Sequence, residues 1–514
     1  GDNPMNANIL SGRQPARPVA TEHFDVIIVG AGISGVGSAY HMRTQCPGKR
    51  FVVLESKDSF GGTWHTHRYP GVRSDSDLYT FGYRFKPWMG KPIATAEEIL
   101  SYMAEVIEEN DLAQHIRYRH RIDAASWSSI EGLWTLDATR LESGERVRFT
   151  TNFLWMCQGY YRHDQGYLPE WTGMDNFKGP LIHAQTWPEA LDVEGKRVVV
   201  IGSGATAATV VPGLARLGAK VTMLQRSPTY FISGRNANDL ANELRRLEID
   251  PMWIHAIIRK KVLMDGAIFA RRSREEPEEV RKELLAGVRA QLGEDFELEP
   301  HFSPRYRPWQ QRVAFIPDGD MFAEIREGNA IVVTDEIDRF VEDGVVLKSN
   351  EKLDADIVVA ATGFQLSVLG DIPFSVDGQS LDFSKTVTYR GMMFTGVPNM
   401  VWVFGYFRAS WTLRVDMVAD FVCRLLKHMD ATGATQVTPQ LREDEKDMPL
   451  SEWIDADNFN PGYLMRDIHL MPRSGNTREW QHTQDYWGEK DEFPEIDLTD
   501  GVFRYDANRP SGNA

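Results

Sequence analysis

The spacing of apolar residues predicts a chain that switches repeatedly between strand and helix. FDVIIV is a continuous, largely β-branched run of the kind a buried strand carries, and after Gly30 the spacing turns helical through Met42. RFVVLE, Arg50 to Glu55, reads as a second strand. From Ala96 to Asn110 the pattern EEILSYMAEVIEEN puts apolar residues on one face and acids on the other, which predicts an amphipathic helix without chemistry of its own. Segments around Ile122–Trp127, Trp134–Ala138 and Val147–Leu154 alternate apolar with polar positions, as short strands do. The strand, turn and helix plan then recurs in GKRVVVIGSGATAATVVPGLARLGAKVTMLQRSP. Residues from about Asn236 to Glu299 read as helices with charge-rich faces. LDADIVVAATGFQ returns to a buried strand, and VPNMVWVFGYFRASWTLRVDMVADFVCRLLKHM gives a strand, a loop and a helix. Beyond about Asp444 the chain is acidic, rich in Trp and Pro, and without a usable period. Strands alternating with helices predict an α/β fold.

Two glycine-rich turns give that fold a purpose. In the first, Gly30 permits a tight turn, Gly32 lets a pyrophosphate approach the backbone and Gly35 lets the helix pack on the strand, with Ser34 in the helix's first turn. Glu55 follows about 20 residues after Gly35, where a carboxylate reaches a ribose hydroxyl. The second turn holds Gly202, Gly204 and Ala207. About 20 residues on, Gln225 and Arg226, followed by Ser227, stand where an NAD site has an acid. A carboxylate there repels a 2′-phosphate, whereas a guanidinium holds one through paired hydrogen bonds, so NADPH is favoured over NADH. Two Rossmann-like domains and two nucleotides are expected.

Composition narrows the setting. A chain of 514 residues exceeds one hydrophobic core, and its 42% hydrophobic and 25% charged residues are those of a globular protein. A formal net charge of −16 argues against a nucleic-acid partner and requires local groups to bind phosphates. Cys46, Cys157 and Cys423 are too scattered for a metal site and fit a reducing cytoplasm. No run of about 18 apolar residues predicts a membrane span. The first residues, rich in Asn, Pro, Arg and Ala, read as a loose tail over 1–22. Ile249 to Arg274 contains a basic amphipathic stretch with two readings, a helix lying on a membrane or an inserted subdomain packing on the second nucleotide domain. The second is adopted, because charge runs on helices usually mark solvated faces.

Three further segments carry candidate chemistry. FKGPLIHAQTWP, between the two turns, holds Phe177, Gly179, His183, Trp187 and Pro188. GGTWHTHRYPGVRSD, Gly61 to Asp75, is too dense in Gly, Pro and aromatics for a regular element; its His65 and His67 lack a third metal ligand and read as solvated or bonded to the loop. In HFSPRYRPWQQRVAFIPDGDMF, Pro304 and Pro308 forbid a continuous helix and leave Arg312 where a rigid loop re-enters the domain. Together these segments resemble type I Baeyer–Villiger monooxygenases, and RYPGVRSDSDLYTFGYRFKPW and IGSGATAATVVP are most similar to the branch of ethionamide-activating and long-chain alkane- or ketone-linked enzymes. The resemblance implies that Thr63 and Trp64 contact FAD, that Asp75 touches a catalytic Arg312, and that Gln311 replaces a lysine that contacts the NADPH phosphate in many relatives. Ala361, Thr362 and Gly363 resemble the crossing back to the FAD domain, and Trp411 is assigned either to the substrate pocket or to the core. His183 suits a conformational role rather than acid–base work.

The domains expected are 1–161 and 364–514 for FAD, 162–235 and 300–363 for NADPH, and 236–299 as a helical insertion. The resemblance implies a reaction in which NADPH reduces FAD and the reduced flavin captures O2 as a C4a-peroxide that attacks a small-molecule ketone, giving an ester or lactone. Oxygenation of sulfur or nitrogen, and an uncoupled NADPH oxidase, are the rival activities. A disulfide reductase is disfavoured by the absence of a cysteine pair near either turn.

Overall fold

The computed structural model describes residues 19–311, 313–407, 409–455 and 462–507. Two sheets organise them. The larger has nine strands, in the order Gln379–Ser380, Phe374–Val376, His120–Ser128, Leu133–Arg140, Arg146–Met156, Thr21–Val29, Phe51–Leu54 and Ile116–Arg117, with Met400–Trp402 paired to Arg146–Met156 off that path. Thr21–Val29 begins two residues inside the expected tail. It runs parallel to both neighbours, in register Ile28↔Val53 and Ile28↔Trp155. The second sheet is parallel throughout, ordered Ala330–Thr334, Lys220–Gln225, Arg197–Ile201, Ile357–Ala360 and Leu181–His183. In each sheet the strand that leads into a glycine turn is flanked on both sides, so its carboxyl end opens into a crevice where ligands of such folds bind. The α/β architecture with two Rossmann-like units is thus present.

Helix Ile33–Gln45 covers the first sheet beside helix Leu413–Thr432. The two are joined by a buried pair, His41 Nε2 to Asp416 Oδ1 at 2.6 Å, and Asp416 also accepts from the Arg84 backbone N–H at 2.9 Å. The amphipathic helix forms over Ala96–Glu109, and its Thr95 and Glu98 satisfy each other's backbone N–H groups in a capping box.

Two expectations are corrected. The Gly61–Asp75 loop contains one helical turn, Thr63–Thr66, made possible by Gly61 and Gly62 at φ 126° and 54°. The helical insertion, comprising Asp239–Arg246, Pro251–Glu275 and Pro277–Leu292, does not pack on the second sheet's side alone. Val288 and Leu292 join that core, but Ile254 and Ile258 join the core of the first sheet. Arg259 explains the reach: its Nη1 donates to the carbonyls of Tyr79 at 2.8 Å and Gly82 at 2.7 Å, which the one-turn helix Leu78–Phe81 leaves without helical partners. His255 adds two bonds, accepting from the Trp88 N–H at 3.1 Å and donating to the Tyr83 carbonyl at 2.8 Å.

Candidate active site

At the first turn Gly30 has φ 102°, and a Cβ there would lie 2.8 Å from the Cys157 carbonyl oxygen. Gly35 is constrained differently. Its Cβ would fall 1.7 Å from the Gly30 carbonyl oxygen, so glycine is what allows helix and strand to touch. Gly32 caps helix Ile33–Gln45, and with Ser34 it faces the open crevice. The buried Glu55 carboxylate is held at the rim by the N–H groups of Ala31 and Lys57, each at 2.9 Å.

The second turn repeats this arrangement. Gly202 has φ 140° and abuts the Ala361 carbonyl, while Gly204 has no atom within 4 Å of where a Cβ would sit. That open backbone at a helix N-terminus suits close approach by a phosphate. Ala207 is fully buried and serves packing. Arg226 and Ser227 face the same crevice; Arg226 is exposed and forms an ion pair with Glu336, Nε to Oε1 at 3.1 Å. Gln225, by contrast, is buried and donates to the His301 carbonyl at 2.6 Å and to Thr334 at 2.8 Å, so it stabilises the strand end.

Both turns line one cavity of about 1710 Å³. Single small-molecule sites commonly occupy about 300–1,000 Å³, so this one has room for more than one ligand. Thr63, Trp64, Asp75, Gln311 and Trp411 line it as well. Thr63 is hydrogen-bonded to the Tyr161 hydroxyl, and Trp64 stands edge-on to Phe81 at 5.7 Å. Trp411 lines the cavity while stacking on Tyr160 at 4.9 Å and packing, partly buried, against the core of the first sheet. Arg312, the expected catalytic arginine, lies outside the described residues.

The connector motif does not face this cavity. Phe177 packs on Phe340, and a Cβ on Gly179 would meet the Asp356 carbonyl at 2.2 Å. Trp187 packs, partly buried, against the core of the second sheet, and Pro188 is exposed. His183 sits where the chain passes between the sheets. It donates from Nε2 to the Gly363 carbonyl at 3.1 Å and accepts at Nδ1 from the Gln185 N–H at 3.1 Å. Burial lowers its pKa, opposed by backbone hydrogen bonds to Gly363 and Tyr167.

His67 differs from its expected solvated state. It is buried in the cavity wall, its Nε2 has no partner among the described residues, and burial pushes its pKa down to about 3, with His163 and His183 adding to the shift. An orphaned polar atom at a cavity wall is one a ligand can satisfy. His65 instead binds Asp58 at 2.7 Å. No group of three metal-ligating side chains exists among the described residues.

Several wall residues escape the sequence patterns: Tyr69, Tyr160, Tyr161, Phe364, Tyr406 and Phe407. Behind Tyr406 a fully buried Arg414 lies 3.5 Å from Glu489, which bonds the Tyr406 hydroxyl. Only the acidic, aperiodic tail that supplies Glu489 hinted at this support, and it carries no spacing that names the pair.

Comparison with known proteins accords with this geometry. Residues 28–87 match the NAD(P)-binding Rossmann-like domain and residues 89–244 match the flavin-binding monooxygenase-like family. The FAD-containing monooxygenase EthA of Mycobacterium tuberculosis is 44% identical over 469 residues, covering 91% of this chain and 94% of the relative. The chain belongs to the flavin-binding monooxygenases. A second member of this family, the probable FAD-binding monooxygenase AlmA of Acinetobacter baylyi, is 41% identical over 489 residues, 94% of this chain and 96% of that one. Among solved structures, a steroid monooxygenase bound to NADP matches this flavin-binding monooxygenase with TM-score 0.73 at 21% identity, covering 94% of this chain and 99% of that one. An open form of cyclohexanone monooxygenase matches with TM-score 0.71 at 19% identity, covering 94% and 100%. At these identities the two structures establish the shared fold.

Proposed function

We propose that the protein is an NADPH-dependent monooxygenase that inserts one oxygen atom of O2 beside a ketone carbonyl, giving an ester or lactone. The observation that carries this reading is the single cavity shared by the two glycine turns, because electrons pass between two nucleotides only where both reach one space. FAD would be held at Gly30, Gly32, Ser34, Gly35 and Glu55, with Thr63 and Trp64 beside it. NADPH would be held at Gly202, Gly204, Ala207, Arg226 and Ser227, with Gln311 nearby. The names of the relatives, which bind FAD, support the first assignment, and the cation at Arg226 supports the second. In this reading the FAD domain comprises 1–161 and 364–514, the NADPH domain 162–235 and 300–363, and 236–299 is the insertion.

The chemistry that bound FAD supplies is acceptance of hydride from NADPH and activation of O2. The rest falls to the chain. Arg312 stabilises the negative charge that develops on the carbonyl oxygen during addition, since a guanidinium stays cationic at every working pH. Asp75 orients it, while Phe177, Gly179, His183, Trp187 and Pro188 connect the two nucleotide domains. Trp411, Tyr160 and Phe407 wall off water from the reacting carbonyl.

The deciding experiment incubates the purified yellow protein with NADPH and linear, cyclic or aryl ketones, and in parallel with a thioether, identifying products by mass. Ester or lactone one oxygen heavier than the ketone is expected. Sulfoxide alone would move the assignment to heteroatom oxygenation, and hydrogen peroxide alone would reduce it to an NADPH oxidase.

A further inference from the structure

The outward face of helix Pro251–Glu275 is apolar where a solvated helix is polar. Its inward face, formed by Ile254, His255, Ile258 and Ser273, is buried. The opposite face presents Trp253 at 67% exposure and Ile257, Met264 and Ile268 at between 41% and 47%. Steps of four, seven and four residues place these four side chains in one stripe, about 22 Å long at 1.5 Å per residue. Isolated apolar residues on a surface need no explanation, but an aligned row of them does.

Cations are interleaved with this row. Lys260 and Arg271 follow Trp253 by two and five helical turns and so lie within the stripe. Lys261 is spent on Asp265 and Arg272 on Glu283, whereas Lys260, Arg271 and Arg274 bind no carboxylate among the described residues. The helix carries six basic and two acidic residues in a chain of net charge −16. Since charges more than about 8 Å away are largely screened at physiological salt, the local excess decides what this face attracts.

We propose that this face docks the protein on an anionic lipid bilayer, with the helix lying in the headgroup plane. An interleaved row of apolar and basic side chains, with an exposed tryptophan, is complementary to that interface, where indole sits among headgroups and lysine and arginine meet lipid phosphate. Spanning is not involved, since no helix among the described residues is long and apolar enough to cross a membrane. A second copy bound two-fold through the same face would set like charges against each other, which disfavours that occupant.

The test is sedimentation of the full-length, flavin-loaded protein with vesicles of phosphatidylcholine, alone or mixed with phosphatidylglycerol. Binding to the mixed vesicles, falling as salt rises, is expected. Trp253→Asp with Ile257→Asp should lower it at least about tenfold, and Lys260→Gln or Arg271→Gln about fivefold each. Flavin content and NADPH oxidation should be unchanged, because all four side chains point away from the core. Failure of the wild type to bind the mixed vesicles would overturn the proposal, as would equal binding to both vesicle types untouched by the substitutions. A concentration-dependent dimer in light scattering, abolished by Trp253→Asp and unaccompanied by vesicle binding, would assign the face to a second copy and overturn it equally.

Discussion

In the proposed NADPH site Arg226 is the cation for the 2′-phosphate, and its side chain is already paired with Glu336 at 3.1 Å. The carboxylate competes with the phosphate for the same cation and repels it besides. An exposed ion pair of this kind is worth about 0–1 kcal/mol, so Glu336→Gln should lower KM for NADPH by up to about fivefold and leave KM for NADH unchanged. Gln311→Lys, which adds a cation on the same cavity, should act in the same direction. Equal changes for both cofactors would disprove the competition. At Arg312 the expected effect falls on chemistry instead: Arg312→Ala should keep flavin reduction by NADPH and slow ester formation about a hundredfold, the usual cost of losing one preorganised donor. Ester formation at the wild-type rate would remove Arg312 from the mechanism. Arg226 could be named from its spacing after the second glycine turn, whereas Arg312 was named through the family resemblance alone. The burial of His67 was not legible, since it arises from Tyr161 and Phe364, far along the chain.

At the level of elements, the strands and helices with strong periods formed where the pattern placed them. Those of a single turn did not announce themselves. Leu78–Phe81 is such a helix, and its start depends on Asp77, whose side chain accepts from the Tyr79 N–H at 2.8 Å. Burial, partly offset by that bond, raises the Asp77 pKa to about 6 from its ordinary 3.8. Below pH 3.8 the carboxyl is protonated in folded and unfolded chains alike and contributes nothing to pH dependence. Between those values the unfolded chain ionises while the folded one retains its proton, so stability falls as pH rises, and above pH 6 the loss is complete. Asparagine preserves the capping oxygen and removes the charge. Asp77→Asn should therefore raise stability near pH 7.5 by about 1 kcal/mol, a figure discounted for the side chain's residual solvent contact, and should have no effect near pH 3.5. Thermal melts at the two pH values check it, and a gain at both would show that charge is not the cause. The insertion helix reaches the first sheet's core through Arg259 and His255, which bond backbone groups in and just after helix Leu78–Phe81, 180 and 172 residues earlier in the chain, and no local period records such a contact.

For the whole molecule, the decisive feature is how the chain crosses twice between the sheets. One crossing runs through Tyr161–Gly166 and the other through Phe364–Leu366, and the two segments pair antiparallel. His183, at the edge of the second sheet, locks them together. Its ring lies against Gly166, where a Cβ would come within 2.2 Å of the imidazole, and its Nε2 bonds to the Gly363 carbonyl. Sequence alone singled out His183 and Gly363 but neither their contact nor Gly166, because Gly166 belongs to no motif and its role exists only once both crossings are in place. Gly166→Ala must displace the ring or bend the crossing, at a cost of about 1–3 kcal/mol for overpacking. His183→Ala removes the ring and with it the obstruction. In a double-mutant cycle, Gly166→Ala should therefore cost much less in the His183→Ala background than in the wild type, a coupling of about 1 kcal/mol or more between touching residues. Denaturant unfolding measures that coupling, and the rate of flavin reduction by NADPH reports its consequence, because hydride transfer requires the two nucleotide sites to keep their relative placement. Additive stability losses would show that His183 and Gly166 do not act on each other. Coupled stability with an unaltered reduction rate would confine His183 to holding the crossings together, without influence on the cofactors.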